Sequence, residues 1–164
     1  MREAIPQELL NLIPEIDFDA GYRYFVGNMD NYLNALMSTL KSVKSKLPIL
    51  EHMRVTDEYE GLRTIAQTLR RIFCNIGAHA LGEASYNVEV VLLNGDTGQI
   101  REELTGYLAG LKTLSGHLEL LFQNINVKSY AQKEAGSASF LNYDFTKTKE
   151  SIRLSADIIG RRII

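Results

Sequence analysis

Apolar residues along this chain recur at spacings of three and four over four separate stretches. That periodicity is the mark of amphipathic helices, each with one side to bury. The clearest stretch holds Leu62, Ile65, Ala66, Leu69, Ile72, Phe73 and Ile76, ended by Gly77. Met29, Leu33, Leu36, Met37, Leu40 and Val43 make another, predicted to end at Leu47 because the residue before a proline, here Pro48, is pushed out of the helical region. Leu81, Ala84, Val88, Val91 and Leu92 form a third, closed by Asn94-Gly95-Asp96. Leu104, Tyr107, Leu108, Leu111, Leu114, Leu118, Leu121 and Phe122 form the last. No stretch shows the alternation of a convincing strand.

Between the stripes lie shorter signals. Leu9, Leu10, Leu12 and Ile13 read as a short helical piece stopped by Pro14. Asp17 or Asp19 is placed to cap a second short piece, from Phe18 to Phe25, that stops near Gly27-Asn28. Thr56 or Asp57 is expected to open the helix of the Leu62–Ile76 stripe. Four long helices with short breaks predict an all-α chain, an antiparallel four-helix bundle preceded by short helical segments. The bundle is placed at residues 1–125. Residues 126–164 read as a polar linker, Lys128 to Ser139, and a C-terminal helix from Thr146 to Ile163 carrying Ile152, Ala156 and Ile159.

Composition narrows the function classes. Of 164 residues, 45% are apolar and 23% charged, enough apolar surface to offset the entropy of ordering one domain. A net charge of −2 offers no basic excess for nucleic acid or an anionic membrane. No apolar run is long enough to span a bilayer. Glu3 and Glu8 in the first residues do not suit a signal peptide, so the expected compartment is the cytoplasm. With Cys74 as its single cysteine the chain has no internal disulfide.

Enzyme signatures are missing. There is no Gly-rich phosphate loop, no pair of histidines at metal spacing and no nucleophile elbow. No cofactor, metal or catalytic residue is therefore expected, and the chain does not read as an enzyme. His52, His79 and His117 fall on different segments, where a lone histidine is ordinarily a surface residue. The stretch that invites a function is Ile65 to Ala78. At about 100° per residue, Arg63, Gln67, Arg70, Arg71 and Cys74 share the side opposite the apolar stripe. Arg63, Gln67 and Arg71 stand four residues apart and stack in one line. Such a stripe is either a plain solvated face or a cradle for an anion or an acidic protein surface.

Ala66-Gln67-Thr68-Leu69-Arg70-Arg71, then Asn75-Ile76-Gly77-Ala78, then Leu81, Ala84, Val88-Glu89 and Gly95-Asp96 follow one another in order. Upstream come Ile13-Pro14-Glu15-Ile16-Asp17, Gly21, Gly27-Asn28 and Tyr32-Leu33. This series resembles the histidine phosphotransfer (HPt) domains of bacterial phosphorelays, whose pattern is Ala-His-x-Leu-Lys-Gly followed by Asn-(Ile/Leu)-Gly-Ala. The likeness runs over about residues 12–123. It implies a helical bundle, with Asn75 and Gly77 in a structural turn, that meets a receiver or a sensor-kinase domain.

The departures fall at the chemistry. Gln67 stands where the family has its phosphoacceptor histidine, and an amide nitrogen, its lone pair delocalised, does not attack a phosphoryl group. Arg70 replaces the family's lysine and keeps the charge. Arg71 replaces a glycine that leaves the acceptor open to its partner. The resemblance thus implies a degenerate HPt domain that binds its partner through Arg63, Gln67, Arg70, Arg71 and Cys74 without carrying phosphate. The alternatives are an active protein using another histidine, His79 or His117, and a purely structural or oligomerising bundle.

Overall fold

The computed structural model describes residues 10–133, with side chains described through residue 125. Within them the chain is all-α, with no strand. Among the described residues five helices follow one another: α1 (Phe18–Tyr24), α2 (Met29–Thr56), α3 (Leu62–Ile76), α4 (His79–Asn94) and α5 (Thr97–Lys133). No helix among the described residues is long and apolar enough to cross a membrane.

Local chemistry sets most of the boundaries. Asp17 caps α1 by accepting the Ala20 amide at 3.0 Å, and Asn28 does the same for α2 with Asn31. Asp96 accepts the Gln99 amide at 2.8 Å and starts α5. Gly77 ends α3 in the left-handed conformation, φ 90°, and its following amide, Ala78, donates to the Phe73 carbonyl at 2.8 Å. The end of α1 has the same logic with an unusual residue. Val26 donates to Arg23 and Gly27 to Tyr22, the paired bonds of a Schellman motif, but the left-handed position, φ 55°, is held by a valine.

Three expectations need correction. Helix α2 does not stop before Pro48 but runs through it to Thr56. Pro48 and Lys44, whose carbonyl loses its helical donor there, both face solvent, where water can take the donor's place. Beyond the proline, Leu50 and Met53 are buried and hold the helix to the core. Neither Thr56 nor Asp57 opens α3. Thr56 is the last residue of α2, and Asp57 follows it in the left-handed conformation, φ 57°, while α3 begins after Gly61. Helix α5 crosses the boundary expected at 125–126 and continues through Lys133, over the first part of the expected linker. The remaining tail, with Ile152, Ala156 and Ile159, lies outside the described residues, as does Leu9.

Side-chain pairs give the directions. Asp57 meets Arg101, Glu51 meets Lys112 and Lys44 meets Glu119, so α5 climbs as α2 descends. Arg70 faces Glu89 across α3 and α4, and Ser85 faces Tyr107 across α4 and α5. Near the start of α2, Tyr32 reaches the last residue of α3. Each of the four long helices thus runs antiparallel to the next, and α5 returns to α2. The four apolar stripes meet in one core, with Leu36, Leu62, Leu69, Phe73, Leu104, Leu111 and Leu118 fully buried. Helix α1 lies against α3 and α2 at one end.

Candidate functional site

The polar side of α3 is where the periodicity put it. Leu62, Ala66, Leu69, Phe73 and Ile76 are buried, whereas Arg63, Arg70, Arg71 and Cys74 are exposed and Gln67 is half-buried. The five do not act as one group. Arg70 leans to α4, where its guanidinium lies 4.7 Å from the centre of the Tyr86 ring and Nη1 is 3.5 Å from Oε2 of Glu89. Cys74 leans the same way. A Cβ on Gly82 would come within 3.1 Å of its Sγ, so glycine lets the two helices close there. Arg63 and Arg71 make no ion pair with any other described residue. The half-buried Gln67 amide therefore sits between two guanidinium groups that are unpaired among the described residues, one helical turn to either side.

Behind Arg70 is a buried polar group that the sequence did not disclose. Glu89 is 8% exposed, and its Oε2 makes no hydrogen bond. Ser85 and Tyr107 share a buried hydrogen bond of 2.7 Å nearby. Burial raises the Tyr107 hydroxyl well above the ordinary tyrosine range, and the Glu89 charge adds to this against the lowering effect of the Ser85 bond. Glu89 and Tyr86 are positioning residues for Arg70, one by charge and the other by its ring face.

The end of the face is built by the turn after α3. The Asp17 amide donates to the Gly77 carbonyl at 2.9 Å, and the buried Tyr32 hydroxyl donates to the Ile76 carbonyl at 2.8 Å. Burial, reinforced by the charge of Asp17, raises the Tyr32 hydroxyl above its ordinary range, so it stays a donor. A Cβ on Gly77 would overlap the Asp17 carbonyl, and one on Gly21 the Ile76 carbonyl and the Tyr32 ring. Gly21 and Gly77 are thus the bare contact through which α1 docks on α3. Beside it, Phe25, Ala35, Ile72 and Ile76 floor a cavity of about 160 Å³, with Ser38 and Asn75 on its rim.

The histidines are scattered. His52 is exposed on α2, 4.0 Å from Glu58, and His79 is exposed at the start of α4. His117, half-buried on α5, pairs through Nδ1 with Glu15 at 2.8 Å and fastens the segment before α1. No cluster of potential metal ligands occurs among the described residues. The roles of Glu89, Tyr86 and His117 depend on contacts across helices. Reflection of the sequence about the Gly77-Ala78 turn would have set residue 70 opposite residue 85, one helical turn short of Glu89. Comparison of the chain with protein-family models, curated proteins and solved structures gives no match.

Proposed function

We propose that this chain is an up-and-down four-helix bundle of the HPt kind that has kept the partner-binding face and lost the phosphoacceptor. The observation that carries this reading is the Gln67 amide on the open side of α3 between Arg63 and Arg71, neither of which has an ion-pair partner among the described residues. The resemblance aligns Gln67 with the acceptor histidine. The ring of antiparallel helix pairs, the glycine turn at Gly77 and the docking of α1 beside it support the same reading.

Binding and transfer separate at this site. A phosphoryl acceptor must offer a free lone pair to the incoming phosphorus, and the Gln67 amide has none. In-line transfer also needs the reacting atoms within about 3–3.5 Å, and Arg71 occupies the turn beside Gln67 where the family keeps a glycine. Two cations without an acidic partner among the described residues instead suit an acidic surface, with Gln67 offering both a donor and an acceptor at its centre. Arg70 contributes less, being already matched by Glu89 and Tyr86. The partner is a receiver or a sensor-kinase domain, and the chain acts by occupying it.

Titration of the full chain with receiver and kinase domains tests this. Arg63→Glu with Arg71→Glu should weaken binding on the order of tenfold at low ionic strength, and less at high salt where such charges are screened. Binding unchanged by the double reversal would move the interface off α3, and no binding to any such domain would defeat the reading.

A further inference from the structure

Between α2 and α3, beside the face just described, a cavity of about 160 Å³ opens to solvent. Its floor is apolar, made by Phe25, Ala35, Ile72 and Ile76, and no carboxylate lines it. The Thr39 hydroxyl at its wall is turned to the Ala35 carbonyl of its own helix at 2.8 Å and offers the cavity no free donor. An ordered water needs about two to four polar partners, which this floor does not supply. A ring fits instead: an apolar cavity of about 150 Å³ holds benzene. Phe25, stacked on Tyr32 with 5.7 Å between ring centres, gives the cavity an aromatic surface against which a second ring packs well.

The mouth is polar and cationic. Asn75 lies half-buried on the rim, and its side-chain amide makes no hydrogen bond to any other described residue. Arg71 stands one helical turn before Asn75 on the same side of α3 and has no ion-pair partner among the described residues. The exposed Ser38 adds a hydroxyl to the rim from the α2 side. An amide donor and a guanidinium at the edge of an apolar hole match a carboxylate carried on a ring.

We propose that this cavity is a binding site for a small aromatic carboxylate, with the ring on the floor of Phe25 and Ile72 and the carboxylate between the Asn75 amide and Arg71. The site stands whatever the α3 face binds. If that face docks an acidic partner, the same ligand takes Arg71 from it; this control over docking, unlike the site itself, rests on the function proposed above.

Titration of the full 15N-labelled chain with benzoate tests the site without any partner. The amides of Phe25, Ala35, Ser38, Ile72 and Asn75 should shift together and saturate. Toluene, a ring without the charge, should move the same amides, and acetate should move none of them. Arg71→Gln should weaken benzoate about fivefold and leave toluene unchanged. Ala35→Leu, which fills the floor, should abolish binding of both, and Ser38→Leu at the exposed rim gives the same block should Ala35→Leu disturb the core. Absence of saturable shifts at these amides would overturn the proposal. So would equal shifts with acetate, benzoate affinity that Arg71→Gln leaves unchanged, or binding that survives both blocking variants. None of these outcomes decides whether the α3 face binds a receiver or kinase domain, which the charge reversals at Arg63 and Arg71 test separately.

Discussion

Replacing Gly77 by alanine separates two costs that the structure predicts will add, and Gly61 supplies the reference. Both glycines have positive φ, 90° and 83°, but a Cβ on Gly61 would meet nothing within 4 Å, whereas one on Gly77 would overlap the Asp17 carbonyl. An L-residue in the left-handed region costs about 1–2 kcal/mol, partly offset by about 0.4–1 kcal/mol from a stiffer unfolded chain, so Gly61→Ala should destabilise by about 1 kcal/mol. Gly77→Ala carries the same charge and also pushes α1 off its seat. That removes the Asp17–Gly77 hydrogen bond and strains the Tyr32–Ile76 one, each worth about 1 kcal/mol, for a total of about 3 kcal/mol. Urea unfolding followed by far-ultraviolet circular dichroism reads both values. Hydrogen exchange at the Asp17 amide of the unaltered chain gives a second readout should Gly77→Ala fail to fold. Equal costs for the two substitutions, or an unprotected Asp17 amide, would refute the docking of α1 on this turn.

Further outcomes follow from single residues. Val26, 92% exposed with φ 55°, should be improved by glycine: relief of about 1–2 kcal/mol less the entropy of an added glycine leaves a gain of about 0.5–1 kcal/mol in a urea titration. Leu69→Ala, at a fully buried position, should cost about 2–5 kcal/mol, and a cost near zero would mean α3 is rotated from its observed setting. The hydrogen bond from Arg101 holds the Asp57 carboxyl below the ordinary carboxylate range. Its contribution is present above that range and lost as pH falls through the lowered value, so Asp57→Asn should flatten the acid limb of the stability-against-pH curve and change little in slope at neutral pH.

What could be read before folding was what depends on neighbours a few residues away. The stripe of α3 and its opposite polar face followed from a period of 3.6, and a cap at Asp17 or Asp19, the stop near Gly27-Asn28 and the stop at Gly77 from local chemistry, whereas the capping of α2 by Asn28 was not read. The misreadings came where a distant residue decided the outcome. Pro48 is a helix breaker by itself, but Leu50 and Met53 are drawn into a core made by other helices. Asp57 looks like an N-cap, yet its carboxylate pairs with Arg101, far along the chain on α5. Within the site, the line of Arg63, Gln67 and Arg71 was legible from spacing alone. Arg70 was not separable from that line, because Glu89 and Tyr86 hold it from another helix. The cavity beside Ile72 and Asn75 is assembled from three chain segments and leaves no local trace.

The proposed function turns on whether the α3 face can take a phosphoryl group. Incubating the chain with a radiolabelled phospho-receiver and assaying acid-labile label on the chain measures this directly. The unmodified chain should take up none, Gln67→His alone little, and Gln67→His with Arg71→Gly should become labelled, since the pair restores both the nucleophile and the clearance for in-line approach. Acid-labile phosphate on the unmodified chain would contradict the loss of the acceptor and turn attention to His79 and His117.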